Sequence, residues 1–230
     1  MLVRKCWCKI PFLATLLLAA VTGASSFPAA GEYRYSASLA GQNIGGWSVS
    51  VQDRDGGTQI DETSSASFAG MQMTANASLA LGADLAPIRY TGSYRMGSQS
   101  PNVSVTLTPS SATAIGAMND VPQRVTLAAN TRHFVVIEPG LLAGLFALPA
   151  QLAAWKESSV TWITPASAQG QALTVGSAIS AAPPSGVPPQ DAMLSVDRPI
   201  VVTIWYDPET LVPDQIVVPS QNAVLTRQRS

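Results

Sequence analysis

Between Met71 and Met96 apolar and polar residues alternate almost without a break. Met71, Met73, Ala75, Ala77, Leu79 and Leu81 fall on one side, and Gln72, Thr74, Asn76 and Ser78 on the other. After a turn at Gly82-Ala83-Asp84, Ile88, Tyr90, Gly92, Tyr94 and Met96 face one way, while Arg89, Thr91, Ser93 and Arg95 face the other. Strand side chains point to opposite faces with a period of two, so this is a pair of long strands with one apolar and one wet face. The apolar face is rich in Ala and Gly. It is under-filled, and something else must pack on it or a hollow remains.

The same alternation recurs along the chain. Glu32 to Leu39 carries Tyr33, Tyr35, Ala37 and Leu39 on one face, and Trp47, Val49 and Val51 share a face in the next strand. Asp55-Gly56 between alternating runs predicts a hairpin, with Thr58 to Phe68 pairing back. Further strands are expected at Val103 to Leu107, Ser111 to Met118, Val125 to Leu127 and Phe134 to Ile137. Later ones are expected at Val160 to Thr164, Leu173 to Ile179, Ala192 to Val196, Pro199 to Tyr206, Leu211 to Val218 and Ala223 to Thr226. Short connections predict an antiparallel meander.

Pro139 to Glu157 breaks this rhythm. Leu141, Leu142, Leu145, Leu148, Leu152 and Trp155 recur at spacings of three and four, which predicts helix. Pro139 suits a first helical turn, and Pro149 is expected to divide the segment into two short helices. Apolar on nearly every side, the segment is either buried against the sheet or a membrane-contacting lid, and burial is the expected case. The Pro-, Gly- and Ser-rich run at 181–190 reads as a long exposed loop within one domain.

The first 26 residues have the composition of a secretory signal peptide. Arg4, Lys5 and Lys9 precede the uncharged run Phe12 to Val21, and small residues offer a cleavage point between Ala24 and Ser26. The run is short for a permanent bilayer span, although an uncleaved anchor is the alternative. Both cysteines, Cys6 and Cys8, lie in this segment, so residues 27–230, whose length suits a single β-rich domain, are expected to hold no disulfide. Its ten basic and fourteen acidic residues give a net charge of −4, and no basic stripe argues for a nucleic-acid partner. A periplasmic or secreted location is expected, with no integral span after cleavage.

No catalytic constellation is visible. His133 is the only histidine, no G-x-S-x-G elbow accompanies it, and a structural role is expected. One His and no mature Cys cannot build a nitrogen or sulfur zinc site. Asp53-Arg54-Asp55 and Asp61-Glu62 lack a calcium-loop spacing and read as solvated hairpin charges. Glu138, Glu157, Asp197 and Asp207 would serve sugar chemistry only if the fold united them. No metal, no cofactor and no catalytic residue are therefore expected. The informative feature is the apolar face. Met71, Met73, Ala75, Ala77 and Leu79 beside Tyr90, Tyr94 and Met96, capped by Leu141, Leu145 and Leu148, would line a groove for an acyl chain or lipid-like ligand. The alternatives are a helix that fills the face completely, and a structural or accessory module docking onto an envelope complex or an enzyme.

The tail, VVTIWYDPETLVPDQIVVPSQNAVLTRQ from Val201 to Gln228, has an apolar strand, the Trp205-Tyr206-Asp207 turn, a return strand ending in Val218-Pro219 and a last strand with Arg227. With Tyr33-x-Tyr35, Gly41 and Ile44-Gly45 near the start, it resembles secreted bacterial domains of unknown function similar to the lipoprotein-carrier (LolA/LolB-like) β-sheets. Such domains also occur fused ahead of α/β-hydrolase domains. The resemblance covers roughly the first and last quarters of the mature chain and brings no catalytic residue. It implies a mainly β fold: an antiparallel, strongly curved incomplete barrel with a helical plug on its concave face.

Overall fold

The computed structural model describes residues 27–96, 102–108, 111–118, 121–127, 133–157, 159–165, 169–176, 182–198 and 200–229. The strands of the first half are β1 (Gly31–Leu39), β2 (Gln42–Arg54), β3 (Gly57–Phe68), β4 (Met71–Gly82), β5 (Pro87–Met96), β6 (Asn102–Thr108), β7 (Ser111–Met118) and β8 (Val121–Leu127). Then come β9 (Phe134–Val136), helix α1 (Ala143–Trp155), β10 (Ser159–Thr164), β11 (Gln169–Gly176), β12 (Ala192–Arg198), β13 (Val202–Tyr206), β14 (Pro213–Val218) and β15 (Ala223–Gln228).

All described strands join one sheet in the order β8-β7-β6-β5-β4-β3-β2-β1-β15-β14-β13-β12-β11-β10-β9. Strands β1 to β8 and β10 to β15 form two meanders, each strand beside its neighbour in the chain. The last strand closes the two halves by pairing with the first, Arg34 opposite Gln228 through Leu39 opposite Ala223. Tyr35 reinforces this seam, its buried hydroxyl donating to the Pro213 carbonyl at 2.8 Å. The free edge β9 comes within 8 Å of β5, Cα to Cα. Since β5 is already paired with β4 and β6, no ladder joins the two, and the curved sheet remains an incomplete barrel.

One pair breaks the antiparallel expectation. β9 and β10 run parallel, Val135 opposite Trp162. Parallel neighbours need a crossover of a dozen or more residues, and α1 is that crossover. The crossover is what brings α1 onto the inner face, against β3, β4 and β9.

Helix α1 departs from expectation in two ways. It runs unbroken through Pro149 as a single helix, and Pro139 stands outside it in a turn with Gly140 (φ 88°). Residues Ala143 to Leu152 are all buried. Packing on every side outweighs the hydrogen bond that Pro149 removes, a cost of about 3 kcal/mol. Gly144 is where the helix meets the sheet most closely. A Cβ there would lie 1.9 Å from the Val136 carbonyl oxygen.

The long hairpin of β4 and β5 pairs as its alternation requires: Leu79 opposite Tyr90, Ala77 opposite Gly92, Ala75 opposite Tyr94 and Met73 opposite Met96. Ile88 is the exception. A bulge between Ala80 and Leu81 shifts the register there, and Ile88 turns outward at 50% exposure. Arg89 and Arg95 are exposed on the outer face.

Candidate functional site

The sheet and the first turn of α1 enclose an apolar cavity of about 380 Å³. Three elements of the sheet converge on it. The β1–β2 hairpin supplies Ala37, Leu39, Ile44 and Trp47; the β3–β4 hairpin supplies Ala66, Phe68, Met71 and Met73; the β14–β15 corner supplies Val218, Ala223 and Leu225. Leu141, Leu142 and Leu145 form the helical wall. None of the described lining residues carries a charge.

Tight turns hold the rim. Leu39 pairs with Gln42 and Phe68 with Met71, leaving the two-residue loops Ala40-Gly41 and Ala69-Gly70. All four loop residues have positive φ, the signature of a type I′ hairpin, which suits the right-handed twist of long strands. The second hairpin carries Phe68 and Met71 to the surface at 40% and 53% exposure, beside the cavity mouth.

The residues expected to line a groove separate into two sets. Met71, Met73, Leu141 and Leu145 line the cavity. Ala75, Ala77, Leu79, Tyr90 and Leu148 lie deeper and are buried in the core, and Tyr94 is half-buried against it. The side chain of Met96 lies outside the described residues. Trp47 and Ala66, in phase with the inner faces of β2 and β3, and the β14–β15 corner join the wall. The corner's contribution depends on a strand from the far end of the chain.

Beneath the cavity sits a carboxylate that its acidic neighbour makes look like a solvated hairpin charge. Glu62, on the inner face of β3, is instead 1% exposed. Its Oε2 accepts hydrogen bonds from the backbone N–H groups of Leu142 (2.6 Å) and Ala143 (2.7 Å). The helix has no side-chain cap of its own and no acid in its first turn. Glu62 supplies both from across the interior, satisfying two amide donors and the positive end of the helix dipole. Burial pushes its carboxyl up to about 7, against the opposing pull of the two backbone bonds and of the Trp47 indole. Its other oxygen, Oε1, is buried and forms no hydrogen bond. Ser64 Oγ and the Tyr90 hydroxyl are also buried without partners. Burial, and then the charges of Glu62 and Glu138, push the Tyr90 phenol well above its ordinary value.

The signal for Glu62 lies in its strand phase. Ile60, Glu62, Ser64 and Ala66 share one face of β3, so Glu62 is in register with the core. Its neighbour Asp61 points outward, where it accepts from Ser78 (2.7 Å) and Gln59 (3.1 Å).

The other chemistry-bearing groups are engaged locally. His133 stacks on Trp155, ring centroids 4.5 Å apart and 8° from parallel, and its Nδ1 lies 2.7 Å from Glu157 Oε1. Trp155 in turn donates to the Asp84 carbonyl at 2.7 Å. The histidine thus ties the start of β9 to the end of α1. His133→Ala is expected to cost about 1 kcal/mol of stability in urea unfolding, the usual worth of such a stacked and hydrogen-bonded pair. A loss above about 3 kcal/mol would show that this end of the helix carries more than a local tie. Asp207 accepts from the amides of Glu209 and Thr210, and Asp197 from Ser195. Asp214, buried on β14, accepts from Arg227 (3.4 Å) and Arg229 (2.5 Å). Burial and then neighbouring Asp214 raise the Asp191 carboxyl well above the usual range. Among the described residues no group of three His, Asp or Glu side chains converges on a metal position, and no helix is long and apolar enough to cross a membrane.

The architecture is that of a β-barrel-like domain. It is similar to the solved structure of a beta-barrel-like protein of the domain of unknown function DUF1849 from Brucella abortus. The TM-score is 0.52 at 8% identity, over 86% of this chain and 94% of that one. A DUF1089 family protein from Pseudomonas aeruginosa aligns with a TM-score of 0.46 at 8% identity, over 76% of this chain and 90% of that one. No family model matches the chain, and neither does any curated protein. At such identities the likeness to the first structure is one of fold.

Proposed function

We propose that this chain is a non-enzymatic periplasmic or secreted protein that binds a hydrophobic ligand, an acyl chain or lipid-like molecule, in the cavity between sheet and helix. The observation that carries this reading is a hollow of about 380 Å³ with no charge among its described lining residues, opening beside an exposed Phe and Met. Its size falls within the range of small-molecule sites. Burying ten methylenes yields about 8 kcal/mol, which corresponds to a micromolar complex before the costs of association. The signal-like first 26 residues support export.

The test is uptake of a neutral environment-sensitive dye such as Nile red by the purified protein. Saturable fluorescence enhancement is expected. Met73→Asp, which places a charge in the apolar wall, is expected to weaken uptake by at least about tenfold, roughly 1.4 kcal/mol or more. Circular dichroism of the variant separates lost binding from lost folding. Absence of saturable uptake by the unaltered protein would sink the reading.

The exposed Phe68 and Met71 favour one other reading, an accessory module whose rim docks an apolar segment of an envelope protein. Cross-linking from position 71 that recovers a stoichiometric protein partner, with an empty cavity, would favour it.

A further inference from the structure

We infer that the cavity selects amphiphiles whose head donates hydrogen bonds, a hydroxyl or an amine, over those ending in a carboxylate or phosphate, and that they enter head first. The inference rests on the ligand-binding reading above and specifies its substrate class.

Polarity changes in steps along the inner face of β3. Ala66 belongs to the cavity wall. Alternate residues on a strand lie about 6.8 Å apart, so Ser64 is one step deeper and Glu62 two. Ser64 Oγ and Glu62 Oε1 are both buried and unpartnered. On the β4 side their pair partners are very small, Ala75 opposite Ser64 and Ala77 opposite Glu62, while on the β2 side they face Trp47 and Val49. Tyr90, one row further, adds a third unpartnered group, its hydroxyl. Trp47 and Leu142 join the two regions, since both line the cavity and both act on the Glu62 carboxyl.

The chemistry of this inner end favours donors. An ionised carboxyl oxygen only accepts, and a hydroxyl does either. A ligand hydroxyl or ammonium would pair with Glu62 Oε1 and Ser64 Oγ, which otherwise remain unsatisfied. A carboxylate or phosphate would face Glu62 with no cation to offset it: among the residues whose burial is described no Lys or Arg is buried. The cavity mouth, by contrast, is uncharged and suits a tail.

The experiment is displacement of Nile red from the full purified protein at pH 7.5 by 1-tetradecanol, tetradecylamine and tetradecanoate, each below its aggregation concentration. The alcohol and the amine are expected to displace the dye at concentrations about tenfold lower than the carboxylate, the worth of one well-made hydrogen bond. Ser64→Ala is expected to narrow the alcohol preference about threefold, and Glu62→Gln to abolish the amine preference while retaining dye binding. Equal or better displacement by the carboxylate would overturn the inference, as would unchanged preferences in both variants. Dye that never binds saturably would instead remove the cavity reading, and this inference with it.

Discussion

Truncating Phe146 to Ala is expected to destabilise the protein by about 3–5 kcal/mol, the cost of emptying a large buried aromatic site. Phe146 is fully buried near the N-terminal end of the inner helix, and its ring lies 5.2 Å from that of Tyr33, tilted by 51°. The site has little freedom to collapse. Gly144 already holds the helix against the Val136 backbone, so the helix cannot slide inward to fill the void. Equilibrium urea unfolding measures the effect as a shift in midpoint at unchanged slope. A cost below about 1 kcal/mol would mean that α1 is not part of the core and that the cavity lacks its helical wall.

The second large effect is a reversal of ordinary pH dependence at Glu62. Its carboxyl is raised from 4.5 to about 7 in the folded chain, with burial as the largest cause. The folded protein therefore binds more protons than the unfolded one between these values, and this contribution to stability falls as pH rises through the window. Below about 4.5 the group is neutral in both states and costs nothing; above about 7 the cost of burying its charge is complete. On the order of 2–3 kcal/mol should be lost between about pH 5 and pH 8 from this group alone. Glu62→Gln keeps an oxygen to accept from the Leu142 and Ala143 amides but removes the charge. The variant is expected to be more stable than the parent at pH 8 and close to it at pH 5, although it deletes a helix-capping carboxylate. Urea midpoints of both proteins at the two pH values decide the matter. A variant that is less stable at pH 8 would show that the charge–dipole contact outweighs burial. Asp191, raised for a similar reason, contributes with the same sign, so some alkaline loss should persist in the variant.

Much of the fold was legible because strand periodicity is a local property. The pairing of Met73 with Met96 and of Leu79 with Tyr90 follows from alternation about one turn. The apolar helix was legible from its leucine spacing. Ile88 and Pro149 show the limit of such reasoning. Ile88 is itself the extra residue of a bulge facing Ala80 and Leu81, Pro149 depends on how deeply its helix is buried, and neither is written in the neighbouring residues. The parallel pairing of β9 with β10 was equally hidden, since short apolar strands read alike in either direction.

Glu62 is the sharpest case. Its phase with Ile60 and Ala66 placed it inward, yet an acid beside Asp61 in a polar strand reads by default as solvated. Only a helix N-terminus arriving from 80 residues away makes its burial tolerable.

The amino-acid sequence alone therefore specified a sheet with one under-filled apolar face and a helix greasy enough to cover it, because side-chain alternation and helical spacing are encoded within a few residues. Whether that covering would be complete was decided in three dimensions. The crossover that seats α1, the closure of β15 on β1 and the Glu62 contact across the interior together leave a hollow at one end and a solid core at the other. Those distances arise from contacts between segments remote in the chain, which no local pattern contains.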